Sequence, residues 1–319
     1  MATDVSFETA IHVHPSEEAE TYSADLQRAW SVGTAPNGGY IAAIIYRVAV
    51  IHFQTTHPQR HHSCAKPIAM QLSYIRRCHI GPAKFLVKDI NLGSRISRVH
   101  VTLIQRGQPT VAGYLTMSDG ISEVGVTLPT KWNVPIPLPR GFSLLDTESG
   151  EIVDQKNWQR LVIPHPEFRR ASSRVEIYEW KATTTTTLGS GVAQWARLRP
   201  HGAKGHFENW TMESVAFLSD IFPTALGRLE GAVQKDVENP VPIWFPTLAL
   251  NIDFKQHALV DSYEWLLSHV HIKSIQNGRM DVEVVILDAS GELVAVATQT
   301  ALVMPSDRNM ANRNMKEKL

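Results

Sequence analysis

Cysteine is nearly absent: Cys64 and Cys78 are the only two in 319 residues. Two thiols are too few for a disulfide framework, so a reducing compartment is the simpler setting. An excess of either charge is missing too, because 31 Lys and Arg balance 31 Asp and Glu. No overall field then draws the chain to nucleic acid or to an anionic membrane. No stretch approaches ~18 uninterrupted apolar residues, so no membrane span is expected. The first residues, MATDVSFETA, lack a basic region followed by an apolar core and do not read as a secretory signal. The expected location is cytoplasmic. The final Glu-Lys-Leu is a weak match to the peroxisomal Ser-Lys-Leu address, with an acid where a small residue is wanted.

Familiar chemical signatures are missing as well. There is no GxxxxGK[ST], GxSxG, HExxH or CxxC, which removes the usual signs of P-loop, nucleophile-elbow, zincin and zinc-ribbon chemistry. GSGVAQ (189–194) lacks the third glycine and the βαβ setting of a dinucleotide fingerprint, and reads as a turn. His57, His61 and His62, with His12 and His14, have no fixed helical or strand spacing. They read as solvated loop residues, so neither a metal nor a cofactor is expected.

What the chain does contain is one pattern stated twice. PNGGY (36–40) opens an apolar helix at 41–53, followed by strand-like runs at 67–77, 83–92, 97–105 and 109–118. A second apolar helix at 212–226 precedes runs at 247–256, 263–272, 278–287 and 292–304, with Asp288–Gly291 as the last hairpin turn. Between them, LPTKWNVPIPLPR (128–140) reads as an extended linker. RVEIYEW (174–180), the Thr-rich 182–190 and GVAQWARLRP (191–200) read as strands leading into the second half. The expected division is 1–120, a Pro-rich linker or insertion at 121–173, and 174–319.

Asp220 stands out in ESVAFLSDIFP (213–223), flanked by Phe217, Leu218, Ile221 and Phe222. In a helix buried on most of its circumference, a carboxylate must be paired, protonated or used. Thr247 and Gln299 alone read as a strand start and as an alternating strand residue. Gly38 and Gly39 let backbone approach a ligand closely, or else let helix and strand pack tightly. Arg76, Arg77 and Lys84 are candidates to meet a phosphate, or simply exposed strand-end charges.

In order, PIAMQLSYIRR through PTVAGYLT, then ESVAFLSDIFPTAL, PTLALNIDF, EWLLSHV and GELVAVATQTALVM resemble the double-hotdog acyl-CoA thioesterases of the thioesterase II type. The likeness covers most of the chain and is weak over 121–173. It implies an α+β double hotdog: two antiparallel sheets, each wrapping a central helix, joined edge to edge. It also implies a catalytic Asp, Thr and Gln, which fall on Asp220, Thr247 and Gln299. Gly38 and Gly39 are assigned to substrate binding. The family usually carries Asp-His after the Thr, where this chain has Ala249-Leu250.

Hydrolysis of a thioester needs a held water, a base and donors to the oxyanion. Asp220 is expected to be the base, Thr247 and Gln299 to hold the water, and backbone N–H groups at a helix start to serve the oxyanion. The substrate implied is an acyl-CoA or acyl-carrier thioester, and association into a homo-oligomer is compatible with the fold. The competing readings are a non-hydrolytic acyl-thioester binding or accessory protein in a lipid or polyketide pathway, and a purely structural dimerisation module.

Overall fold

The computed structural model describes residues 5–59, 65–120, 123–130, 132, 134, 157–181, 191–199, 208–235, 238, 241–256 and 263–310. The first half contains β1 (His14–Pro15), β2 (Thr21–Leu26), helix α1 (Gly38–Thr56), β3 (Lys66–Tyr74), β4 (Gly81–Leu92), β5 (Ser97–Gln105) and β6 (Gln108–Ser118). There follow β7 (Trp158–Arg160), β8 (Val175–Trp180), β9 (Val192–Leu198), α2 (Met212–Leu218) and α3 (Pro223–Val233). The chain then runs through β10 (Thr247–Phe254), β11 (Leu266–Gln276), β12 (Arg279–Leu287) and β13 (Leu293–Leu302).

These strands alternate buried and open positions where one face meets the core, as β5 does along its whole length. These strands pair antiparallel throughout, in one sheet ordered β1-β2-β4-β5-β6-β3-β10-β13-β12-β11-β9-β8-β7. The order shows the repeat directly: β4-β5-β6-β3 on one side answers β11-β12-β13-β10 on the other. The halves meet where β3 pairs with β10, with Leu72 opposite Leu250 and Met70 opposite Ile252. This seam leaves neither half a bare strand edge there.

Helix α1 is buried around most of its circumference, as its run of Ile, Ala, Val and Tyr requires. It packs on β2, β3, β4 and β5 and lies directly against α2. That closeness depends on glycine: a Cβ on Gly39 would sit 2.5 Å from the Phe217 carbonyl oxygen and 2.8 Å from Asp220 Cβ. Strand β9 is buried on every residue because both its faces are covered. Ala196 and Leu198 face the main core, whereas Ala193 and Trp195 join Trp158, Tyr178 and Trp265 in a second apolar cluster.

One expectation needs correction. The helix expected at 212–226 is broken: α2 stops at Leu218 and α3 starts at Pro223. Pro223 has no N–H to continue a helix, and it drives Phe222 before it out of the helical region, to φ −137° and ψ 57°. Asp220 therefore sits in the turn between two helices, with its N–H bonded to the Phe217 carbonyl at 3.2 Å. Within 121–173, the stretch read as linker or insertion, Trp158–Arg160 forms a strand on β8 at that side of the sheet. The Thr-rich strand expected at 182–190 lies outside the described residues. No described helix is long and apolar enough to cross a membrane.

Candidate active site

Asn37 caps α1, accepting from the Tyr40 N–H at 2.9 Å. This is the usual role of Asn just before a helix. The same side chain turns its amide toward the second half, where Asn37 Nδ2 donates to Asp220 Oδ2 at 2.8 Å. The Gly39 N–H donates to that oxygen at 2.9 Å. Gly38 is needed for the approach, since a Cβ there would lie 2.9 Å from Asp220 Oδ2 and 3.1 Å from Thr247 Oγ1. The Tyr74 hydroxyl donates to the Gly38 carbonyl at 2.6 Å and fixes this helix start. Burial pushes the Tyr74 phenol well above its ordinary range, so it stays a donor.

The other carboxylate oxygen meets Gln299. Its Nε2 donates to Asp220 Oδ1 at 2.8 Å and to Thr247 Oγ1 at 2.6 Å. Gln299 is 4% exposed and faces inward, not toward solvent. Both N–H bonds of its amide are thereby committed, and Thr247 keeps its own O–H free to donate. Thr247 opens β10 at a register shift against β13, which displaces Leu248 into the neighbouring cavity. The structure therefore brings Asp220, Thr247 and Gln299 into one hydrogen-bonded group.

Burial raises the Asp220 pKa to about 6, against the lowering effect of bonds from Gly39, Gln299, Asn37 and Gly38. A carboxylate tuned to that range is ionised near neutrality yet basic enough to take a proton. It lines a cavity of about 270 Å³ whose apolar walls include Phe222, Leu226, Trp244 and Leu248. Arg76 and Arg77 line the same cavity. Arg77 lies over the Trp244 ring at 5.8 Å and donates to the Asn309 carbonyl at 2.6 Å. Lys84 instead pairs with Glu18 at 2.5 Å and is not among the lining residues.

The backbone N–H groups at the start of α1, expected to serve an oxyanion, point at the carboxylate instead. Gly38 lines the cavity; Gly39 is not among the lining residues and meets Asp220 and α2. Leu250 is fully buried in the core. Asn37 and Tyr74 were not foreseen, although an Asn preceding Gly-Gly and an apolar helix signals a cap. His57 is not a solvated loop residue: its Nε2 meets Asp89 Oδ2 at 2.7 Å. His61 and His62 lie outside the described residues.

A family model for the acyl-CoA thioesterase N-terminal domain matches residues 26–118, and one for the C-terminal domain matches 147–303. The chain belongs to the acyl-CoA thioesterase family. The thioesterase-like protein TwmA of Talaromyces wortmannii is 26% identical, over 94% of this chain and 93% of that protein. The acyl-CoA thioesterase II TesB2 of Mycobacterium marinum shares the fold at TM-score 0.63 and 16% identity, covering 94% of this chain and 98% of that one. A hot dog fold protein of unknown function from Alicyclobacillus acidocaldarius aligns at TM-score 0.63 and 18% identity, covering 93% and 97%. This acyl-CoA thioesterase family member is thus a mixed α+β chain with one large antiparallel sheet and few helices.

Proposed function

We propose that this chain hydrolyses acyl thioesters, with Asp220 as general base. The observation that carries the reading is a carboxylate with pKa raised to about 6, in a cavity wall and bonded to Asn37, Gly39 and Gln299. A water beside it rests against Thr247 Oγ1, which Gln299 holds in place through its Nε2. The water oxygen attacks the thioester carbonyl carbon as Asp220 takes its proton. The tetrahedral intermediate collapses, the C–S bond breaks, and the thiolate leaves with the proton held by Asp220.

The negative charge on the carbonyl oxygen needs donors that the carboxylate has not already engaged. The Thr247 hydroxyl is one. Asn37 Nδ2 is another, since its one hydrogen bond among the described residues goes to Asp220 and it carries a second N–H. Gly38 shapes the wall against which the acyl group lies. Arg76 and Arg77 give the mouth of the cavity two cations, suited to the anionic carrier of an acyl-CoA.

The architecture is read as a double hotdog in which α1 and α2 are the two central helices, divided at 1–120, 121–173 and 174–319. A cytoplasmic setting accords with Cys78, which is a free buried thiol. The competing reading keeps acyl-thioester binding without turnover, and the unusual Ala249-Leu250 pair favours giving it a test. Thiol release should be followed across a panel of acyl-CoA chain lengths, together with an acyl-carrier thioester. Turnover that saturates with substrate supports hydrolysis. Tight binding of acyl-CoA with no thiol released refutes hydrolysis and leaves the binding protein.

A further inference from the structure

Away from Asp220, at the opposite end of α1, three polar side chains meet, two of them on faces otherwise turned to the core. On β4, Ala83, Phe85 and Val87 face the core and Asp89 continues that face. On α1, His52 is fully buried beside Val48, Ala49 and Phe53. His57, the residue that ends α1, turns back toward the same point. His52 Nε2 lies 3.0 Å from Asp89 Oδ1, and His57 Nε2 lies 2.7 Å from Asp89 Oδ2. All three potential ligand atoms lie within 4.8 Å of one another. Asp220 lies near the other end of this helix, about 20 Å away at 1.5 Å per residue.

We propose that His52, His57 and Asp89 form a binding site for a divalent transition-metal ion, with Zn²⁺ the best fit. Two imidazole nitrogens and one carboxylate oxygen are the donor set of a three-ligand zinc site, with water in the fourth place. Bonds of roughly 2.0–2.1 Å put tetrahedral ligand atoms about 3.3 Å apart. The three groups therefore need only small movements to close on an ion. His57 is 14% and Asp89 22% exposed by side chain, so an ion can enter from their side.

Two further features favour a cation here. Helix α1 ends without a basic side chain in its last turn. Its carbonyl end carries roughly half a negative charge, and its last turn supplies no Lys or Arg to offset it. The second feature is an outer hydrogen bond: His52 Nδ1 lies 3.0 Å from the Tyr22 hydroxyl, which in turn lies 3.5 Å from Thr55 Oγ1. Without metal, each ring donates from Nε2 to Asp89, and Tyr22 donates to His52 Nδ1. With metal, each ring's proton moves to Nδ1. His52 then donates to Tyr22, which turns its own hydrogen toward Thr55. An outer partner of this kind fixes the tautomer a metal requires. The ion would tie the end of α1 to β4, independently of thioester chemistry.

The test is isothermal titration of the full chain, stripped with chelator, with Zn²⁺, and with Co²⁺ to read coordination from its visible spectrum. One ion per chain and the spectrum of four-coordinate Co²⁺ are expected. Tyr22→Phe should weaken binding roughly ten- to hundredfold, and His57→Ala and Asp89→Asn by more. These last two residues are partly exposed, so the variants should fold where a change at His52 would not; circular dichroism checks this. The double variant His61→Ala, His62→Ala should bind as the parent does. A parent that takes up no ion, or folded His57→Ala and Asp89→Asn chains that bind as tightly as the parent, would overturn the proposal. So would binding that disappears only with His61 and His62.

Discussion

Replacing Asp220 by Asn separates the chemistry of the site from its shape. In the parent, Asp220 accepts from Gln299 on one oxygen and from Asn37 and Gly39 on the other. An Asn keeps its oxygen toward Asn37 and Gly39 and presents an NH₂ to Gln299. Gln299 can answer by turning its amide over, so that its Oε1 accepts from the new NH₂ and from the Thr247 hydroxyl. The cluster then stays hydrogen-bonded, and what is lost is the proposed base.

The stability change follows from burial of the carboxylate. The gap between a folded pKa of about 6 and the ordinary 3.8 is worth about 3 kcal/mol at 1.36 kcal/mol per pH unit. Between those two values the native protein holds a proton that the unfolded chain has released. Stability from this group is therefore full below about pH 3.8 and falls as pH rises to about 6. Asn cannot ionise and escapes that fall. Denaturant titrations at a series of pH values should show the variant drawing ahead of the parent from about pH 4 and levelling off above pH 6, by up to about 3 kcal/mol.

Over the same range, parental kcat/KM should climb tenfold per pH unit to an inflection near 6. In the variant it should lie about 10²–10⁴ lower, without that inflection. A stability difference that does not change with pH would refute the assigned burial. Thiol release at the parental rate would refute the base.

Three other outcomes follow from the same geometry. Thr247→Val removes a hydroxyl at nearly constant volume; kcat should fall roughly 10²–10³ while KM barely moves, if the hydroxyl serves the developing charge. Gln299→Leu takes away a bond that lowers the Asp220 pKa, so the inflection of the rate profile should move upward; an unmoved inflection would detach Gln299 from the base. Gly39→Ala gains about 0.5–1 kcal/mol in helix propensity but places a carbon 2.5 Å from a carbonyl oxygen. Its melting temperature and activity should both drop, and a stabler, fully active variant would show that the close approach is dispensable.

Much of this architecture was legible from periodicity. A strand such as β5, with one face in the core, must alternate, and its sequence does so. The duplicated strand order was readable because both halves solve the same burial problem with the same run of elements. The break at Asp220 was misread because apolar residues continue on both sides of it, and hydrophobicity alone does not report the backbone. Pro223 carried the missing signal, since proline favours the first turn of a helix and forbids continuing one. Asn37 was hidden by its capping role, and the bond that gives it a second role spans 183 residues. The His52–His57–Asp89 group lies beyond local reading for the same reason, with partners 32 and 37 positions apart.

The division of labour around Asp220 has a consequence for how the protein is made. The Asn-Gly-Gly turn at 37–39 emerges early during synthesis, and the carboxylate it holds follows 183 residues behind Asn37. Gln299 comes 79 residues later still. At roughly 5–20 residues per second, the ribosome completes the whole first half long before this constellation can exist. A nascent or truncated chain that lacks β13 has the cap and the carboxylate but nothing to hold Oδ1. If Asp220 is the base, the unfinished chain is therefore inactive with no separate inhibitory segment required.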